Sequence, residues 1–406
     1  MKNISLYIHI PFCMKKCIYC DFLSFADCSL SEQRSYVETL MQEIDCYREL
    51  AKEYQVISIF IGGGTPSMLQ EGLVEQLFRK LYSVWNIAEE AEITIECNPG
   101  TLTARKLAEY RTCGINRLSL GLQSADNREL KQLGRIHNYE QFVANYQLAR
   151  EAGFRNVNVD IMAALPGQSQ ASYGRSLSKV LELKPEHISI YSLMVEEGTV
   201  LARSQELLEQ LPGEQTERNM YHYTKTIMKG MGYERYEISN YAKPGYACRH
   251  NRVYWTGGEY LGLGLGASSY WNGIRFSNTS DWNEYLYEWE KDDITRIRKN
   301  QIPDTLESRM EEFMFLGLRM MEGVSKTEFE NRFHRSMEEI YGRVIHTYVE
   351  QGFLTWKQER LRLTEQGIDV SNYIMADFLL DAGSDTQETP ETAAMLVREA
   401  DTCLEK

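Results

Sequence analysis

The 406-residue sequence has no apolar run approaching the roughly 20 residues that span a bilayer. Its opening residues, MKNISLYIHIPFC, lack a signal-peptide hydrophobic stretch followed by a small-residue cleavage site. Both absences lead to the expectation of a cytoplasmic protein with no transmembrane segment. Positive charge is scarce: 44 Lys and Arg stand against 58 Asp and Glu, for a net charge of −14. A duplex-binding protein carries a basic face, so nucleic acid is a poor partner for this chain. Cysteine is also sparse. Nine in a chain this long are too few for a disulfide-dense scaffold. Three of them, Cys13, Cys17 and Cys20, are nonetheless packed close together. In a reducing compartment such a cluster points to metal binding or catalysis.

What is present is a hydrophobic content of 43%, enough for a large core and for two or three domains. From residue 5 to about 195, short apolar or β-branched runs alternate with longer amphipathic ones. Strands are predicted at Ser5–Ile10, Val56–Ile61, Glu92–Glu96, Arg117–Leu120, Asn156–Met162 and His187–Tyr191. Helices fall between them, at Ser31–Glu53, Glu71–Val84, Thr103–Thr112, Tyr139–Ala152 and Gln170–Leu183. This alternation implies an α/β fold with a parallel sheet and right-handed crossovers. A closed eight-fold barrel needs about 250 residues. Six units therefore predict a partial (β/α)6 barrel over residues 1–200.

Past residue 200 the alternation fades into an α+β extension reaching about residue 300. Glu214–Gly230 reads as a helix and Glu234–Tyr241 as a strand. GLGLGASSYWNG, at 262–273, has too much glycine for a regular helix and reads as extended or looping backbone near a ligand. From 301 to 380, helices at Leu306–Met321, Lys326–Phe333 and Met337–Gln351 precede a hairpin of Phe353–Trp356 and Leu361–Leu363. A helix at Ile368–Phe378 follows. Helices with a small β-wing resemble a winged-helix module, but acidic residues outnumber basic ones here, which argues against a DNA reader. Residues 381–406 form a polar tail.

The cysteines form CxxxCxxC directly after the first strand. Three thiolates from one loop leave one iron of a 4Fe–4S cubane without a protein ligand. That open iron can chelate the amino and carboxylate groups of S-adenosylmethionine. Zinc usually takes four ligands, often in CxxC pairs, and no matching pair follows. A zinc site or unrelated thiols remain the bland alternative. Lys15 and Lys16 lie beside the triad, which predicts thiols that ionise easily.

Further motifs agree in order. IFIGGGTPS ends the second strand, where Gly62, Gly63 and Gly64 let backbone approach a ligand. ITIECNPG ends the third with Glu96, on the ligand side of an α/β barrel. LSLGLQS presents Gln123, LGRIHN supplies Arg135 to pair with a carboxylate, and VDIMAALPGQ presents Asp160. The chain thus resembles the radical S-adenosylmethionine superfamily. YIHIPFCxxxCxYCxF, followed by GGGTP, ECNP, GLQS, LGRxH and LPGQ, is similar to the oxygen-independent coproporphyrinogen oxidase group over about residues 5–380. The resemblance implies a cofactor bordered by Tyr7, Tyr19, Gly63, Gly64, Thr65, Glu96, Gln123, Arg135 and Asp160.

Two departures separate this chain from the oxidases. They resemble CxxxCxxCxC, whereas Phe22 stands at the last position here, and they carry a longer segment before the cluster. Both departures, and HNxxYW at 250–255, resemble the HemW-type haem chaperones. That branch implies haem as cargo and client haem proteins, with respiratory enzymes as the family-level expectation. His250 is then a tentative axial ligand, with Cys248 as its rival. A loop-organising role for His250 and Asn251, with Trp255 in the core, is the alternative. The competing functions are a radical enzyme acting on a porphyrinogen or haem, and a purely structural iron–sulfur protein.

Overall fold

The structure, a computed structural model, describes residues 1–288 and 293–380; the tail expected at 381–406 lies outside the described residues. Strand β1 (Lys2–Ile10) is buried without interruption from Ile4 to Ile10. Such a run has both faces covered, as in a central parallel strand. It pairs with β2 (Tyr54–Gly63), and β3 (Asn86–Cys97), β4 (Arg117–Gln123), β5 (Asn156–Ala163) and β6 (His187–Ser192) follow in parallel. All six predicted strands are present in the predicted order.

The crossovers are helices α1 (Leu30–Cys46), α2 (Leu73–Val84), α3 (Ala104–Thr112), α4 (Tyr139–Glu151) and α5 (Gln170–Glu182). Local sequence explains their starts. Ser29 and Glu32 form a capping box on α1, Asn138 and Gln141 one on α4, and Ser169 and Ser172 one on α5. Long apolar side chains such as Leu77, Phe78, Phe142 and Leu177 are fully buried against the sheet. Each contributes about 1.5–3 kcal/mol by leaving water.

The extension departs from expectation in two places. After α6 (Glu214–Gly230), the segment read as one strand is a hairpin. Its arms are β7 (Glu234–Arg235) and β8 (Asn240–Ala242), and β8 adds antiparallel to β6. The Ser239 N–H donates to Glu237 Oε1 at 3.0 Å and closes the turn between them. HNxxYW lies on a helix, α7 (Arg249–Trp255), not a loop. The glycine-rich stretch is extended in part and turning in part, as expected. β9 (Tyr260–Leu263) runs parallel to β1 as a seventh parallel strand, and β10 (Ser268–Trp271) pairs back onto it. The glycines serve the chain's own backbone: a Cβ on Gly262 would stand 2.2 Å from the Ser268 carbonyl oxygen. β11 (Ile274–Asn278) and β12 (Arg298–Pro303) complete a twelve-stranded sheet.

Residues 306–380 bury an apolar cluster of their own, around Met314, Phe329, Tyr341 and Phe378. Its helices are α8 (Leu306–Arg319), α9 (Lys326–Phe333) and α10 (Met337–Glu350). Gly352, with φ +78°, ends the last of these. The wing is the hairpin Leu354–Lys357 and Arg360–Leu363, joined by Val324–Ser325. The single helix expected at the end is two, Glu365–Asp369 and Ser371–Ala376, interrupted at Val370.

Candidate cluster and cofactor site

The loop that carries the cysteines is seated on the glycine triplet. Gly64 N–H donates to Ile10 O at 2.9 Å, and Thr65 N–H donates to Phe12 O at 2.7 Å. Contact is too close for side chains. A Cβ on Gly64 would lie 2.8 Å from Phe12 O, and one on Gly63 (φ +107°) would lie 2.4 Å from the His9 ring. Gly63 and Gly64 also line the cavity where a ligand was expected, so the triplet serves the cysteine loop's own backbone on one side. His9 Nε2–H donates to Leu23 O at 2.8 Å, so its Nδ1 accepts from the Tyr7 hydroxyl at 3.1 Å. The loop is thus pinned at both ends.

Cys13, Cys17 and Cys20 all line one cavity of about 650 Å³. Cys13 Sγ lies 3.6 Å from Thr65 Oγ1, and Cys17 Sγ lies 3.6 Å from Arg135 Nη1. Ile18 N–H donates to Leu133 O, which ties the loop to the LGRIHN segment. No three His, Cys, Asp or Glu side chains among the described residues converge closely enough for a single metal ion. A cubane takes each thiolate on a separate iron, so it needs thiols spread around it rather than gathered on a point. At two of the thiols burial runs against the expected easy ionisation: desolvation raises the Cys13 thiol and pushes Cys20 up to about 11. Lys16 opposes this only weakly at Cys20 and extends outward to donate to Phe22 O. Phe22 itself lies at the cavity edge, 37% exposed.

The remaining predicted residues converge on the same cavity from the ends of successive strands. Tyr7, Gly63, Gly64, Thr65 and Glu96 come from β1 to β3 and the turn after β2. Gln123, Arg135, Asp160 and Tyr19 close the far side. Glu96 Oε2 accepts the Gly63 N–H at 3.1 Å, and its carboxyl is pushed up to about 8 by desolvation and then by Asp160. Desolvation also raises Asp160, although Ser119 Oγ and Asn158 Nδ2 donate to it at 3.0 and 2.7 Å. Two neighbouring carboxyls held this way favour a ligand that donates hydrogen bonds or carries positive charge. Gln123 adopts φ +70°, a left-handed conformation held at the strand's end. Arg135 Nη2 donates to Asn98 Oδ1 at 2.7 Å and to Gly121 O.

Sequence reasoning missed Asn98, Ser119 and Asn158. Two of them had a readable signal. Asn98 falls two residues past Glu96 in the ECNP run, and Asn158 precedes Asp160 by two, on the same face of a strand.

His250 sits on α7 at the cavity wall but is 1% exposed. Ser58 Oγ donates to Ser5 Oγ, so it accepts from His250 Nδ1–H at 2.9 Å. Nε2 is then the acceptor, and the Tyr254 hydroxyl donates to it at 2.8 Å. Cys248 is fully buried and donates to Glu92 Oε1. Trp255 is buried under the Arg319 guanidinium, 4.3 Å from its ring centroid. Desolvation holds His250 down to about 3. The unfolded chain takes a proton there near pH 6.5 and the folded chain does not. The stability this confers is complete above pH 6.5 and is lost as pH falls toward 3. A His250→Gln variant should therefore show a shallower loss of unfolding free energy on acidification, by up to about 1.4 kcal/mol per pH unit, read from denaturant titrations. Parallel curves for the two proteins would refute a neutral buried His250.

The Radical SAM superfamily profile matches residues 7–179, and the HemN C-terminal domain profile matches residues 304–370. The chain is 37% identical to the heme chaperone HemW of Lactococcus lactis, across 94% of this chain and 98% of that protein. It belongs to the HemW heme chaperone family. The HemW of Bacillus subtilis is 35% identical over 92% of this chain and 99% of its own, and that of Escherichia coli 33% over 94% and 99%. Among solved structures, coproporphyrinogen III oxidase (HemN) of Escherichia coli, a radical SAM enzyme, superposes with a TM-score of 0.82. That match spans 93% of this chain and 90% of the oxidase at 22% identity, and it shows a shared fold. Among the described residues, no helix is long and apolar enough to cross a membrane.

Proposed function

We propose that this protein binds haem and delivers it to client haem proteins, using a 4Fe–4S cluster on Cys13, Cys17 and Cys20 with S-adenosylmethionine beside it. The observation that carries this reading is convergence. Three thiols and every cofactor residue expected from the motifs line one cavity, in a chain that matches heme chaperones over nearly its full length. The reading assigns residues 1–200 to the cofactor core, 201–300 to an extension bearing HNxxYW, and 301–380 to a winged-helix-like module. When bound, the cluster supplies an open iron and an electron for S-adenosylmethionine.

The chain's own groups do the rest. Thr65 and Arg135 fix two thiols in place. Glu96 and Asp160 accept hydrogen bonds or positive charge from the cofactor. Gln123 supplies a further polar contact. The walls formed by Tyr7, Phe60, Tyr254 and Trp255 give the cavity an aromatic side suited to a flat macrocycle. His250 as axial ligand requires a rearrangement, because both ring nitrogens are engaged, one by Ser58 and the other by Tyr254. In this reading His250→Ala lowers haem affinity, and an unchanged haem spectrum leaves His250 a purely organising role.

Anaerobic reconstitution followed by haem titration and a coproporphyrinogen assay tests the function directly. Stoichiometric haem binding without porphyrin product supports the chaperone. Turnover to protoporphyrinogen replaces it with the enzyme. Gln123→Ala should weaken S-adenosylmethionine binding on the order of tenfold, read by equilibrium dialysis, while leaving cluster absorbance intact. Equal affinity in the variant removes Gln123 from the cofactor site.

A further inference from the structure

A continuous chain of buried and part-buried hydrogen bonds runs from Asp160 to the helix that carries His250. Asn158 Nδ2 donates to Asp160 Oδ1 at 2.7 Å. A carboxylate accepts, so the amide nitrogen must face it and Asn158 Oδ1 must face away. That oxygen meets His187 Nδ1 at 2.6 Å, which therefore carries the proton. His187 Nε2 is left as an acceptor, and it meets the Tyr236 hydroxyl at 2.9 Å. With its one proton given to His187, the Tyr236 oxygen accepts the backbone N–H of Cys248 at 3.3 Å. Cys248 is the N-cap residue of α7. Every donor and acceptor along the path is fixed by its neighbour, and Asn158, His187 and Cys248 are 2% exposed or less.

The other anchors of α7 do not reach Asp160 by this route. Glu92 on β3 accepts from the Arg249 and His250 N–H groups, and Ser58 on β2 accepts from the His250 ring. The Tyr236 path alone among these ends on a carboxyl that faces the cofactor side of the cavity. Tyr236 also packs with Trp255, Leu316 and Met320, where α7 meets α8.

We propose that His187 and Tyr236 are positioning residues that couple occupancy at Asp160 to the placement of α7, so that a nucleoside ligand and haem influence each other's binding. The inference rests on the function proposed above. A ligand hydroxyl donating to Asp160 competes with Asn158 for the carboxylate. In a satisfied buried network each bond polarises the next, and the change is passed along rather than absorbed by water. Coupling of this kind is reciprocal: whatever factor S-adenosylmethionine exerts on haem, haem exerts on S-adenosylmethionine.

Tyr236→Phe is the sharpest test, because it deletes one oxygen and two hydrogen bonds with no change of shape. The reconstituted wild type and the variant are compared with and without S-adenosylmethionine. The readouts are cofactor affinity, amide exchange of the peptide covering 246–256, and haem affinity from the Soret band. In the wild type, cofactor should slow exchange in that peptide and change haem affinity by about fivefold or more. In Tyr236→Phe both responses should collapse below about twofold, with cofactor affinity retained. His187→Phe should behave alike. A wild type that binds cofactor with no response in the peptide overturns the coupling and leaves the chaperone reading standing. So does a variant that keeps the full response. Failure of the wild type to bind S-adenosylmethionine overturns both.

Discussion

Replacing Cys17 by alanine should abolish the broad visible absorption of the reconstituted protein and reduce its bound iron to background. Cys17 holds the middle of the loop: Cys20 N–H donates to its carbonyl, and Arg135 Nη1 approaches its sulfur at 3.6 Å. Without that thiolate a second iron loses its protein ligand, and two thiolates on a solvent-accessible loop do not retain a cubane. Ligand loss at a metal site that is preorganised by its fold forfeits most of the binding free energy. Binding of S-adenosylmethionine falls with it, since the open iron is gone. Arg135→Ala is the informative contrast, because it removes only the neighbour of the sulfur. It should keep the cluster colour while weakening cofactor binding. An intact 4Fe–4S signal in Cys17→Ala would contradict the ligand assignment.

Gly64→Ala damages the same site through the backbone, with no ligand touched. The added Cβ would lie 2.8 Å from Phe12 O, 2.9 Å from Phe12 N and 3.0 Å from Ile10 O. All three are main-chain atoms, and two of them accept hydrogen bonds from this very turn. Relief requires the cysteine loop and the β2 turn to separate. Overpacking of this kind costs about 1–3 kcal/mol, a drop of several degrees in thermal midpoint. Cluster loading should fall as well, because Cys13 follows Phe12 directly. Gly72→Ala is the control for a glycine in open space with positive φ: no heavy atom lies within 4 Å of its Cβ. It should lose some stability and keep full iron content. Equal loading in Gly64→Ala and wild type, measured by iron per chain, would show that the turn does not support the loop.

The parallel core was legible because its strands announce themselves. Runs such as SLYIHI and ISIFIG are apolar or small on both faces, as a strand covered on both sides must be. Helix starts were legible from their caps, though the first helix is interrupted at Tyr47, where α1 ends at Cys46 before a four-residue helix at Arg48–Ala51. Of the candidate cofactor residues, Glu96, Gln123 and Asp160 were legible because they lie at or near the ends of strands that the pattern had already placed, whereas Tyr7 and Tyr19 came from the family resemblance and not from spacing. What escaped depends on contacts distant in sequence. RHNRVYW carries little helical signal, and α7 exists because Glu92 accepts its first N–H groups. β9 was hidden by glycines that packing against β10 and β1 demands. The thiol ionisation was misjudged for the same reason: Lys15 and Lys16 are visible in the sequence, whereas the burial that outweighs them is not.

The place of β9 beside β1 also sets a schedule. Ser5 to Ile8 pair on one side with residues 260–263, so the strand leading into the cysteine loop stays an open edge until those residues have been made. At roughly 5–20 residues per second this interval lasts on the order of tens of seconds. A growing chain therefore leaves one edge of an apolar strand open next to three uncommitted thiols for most of its synthesis. Iron delivered before residue 263 emerges meets an unfinished wall, and the productive moment for loading the cluster comes late, once the sheet has been joined from both sides.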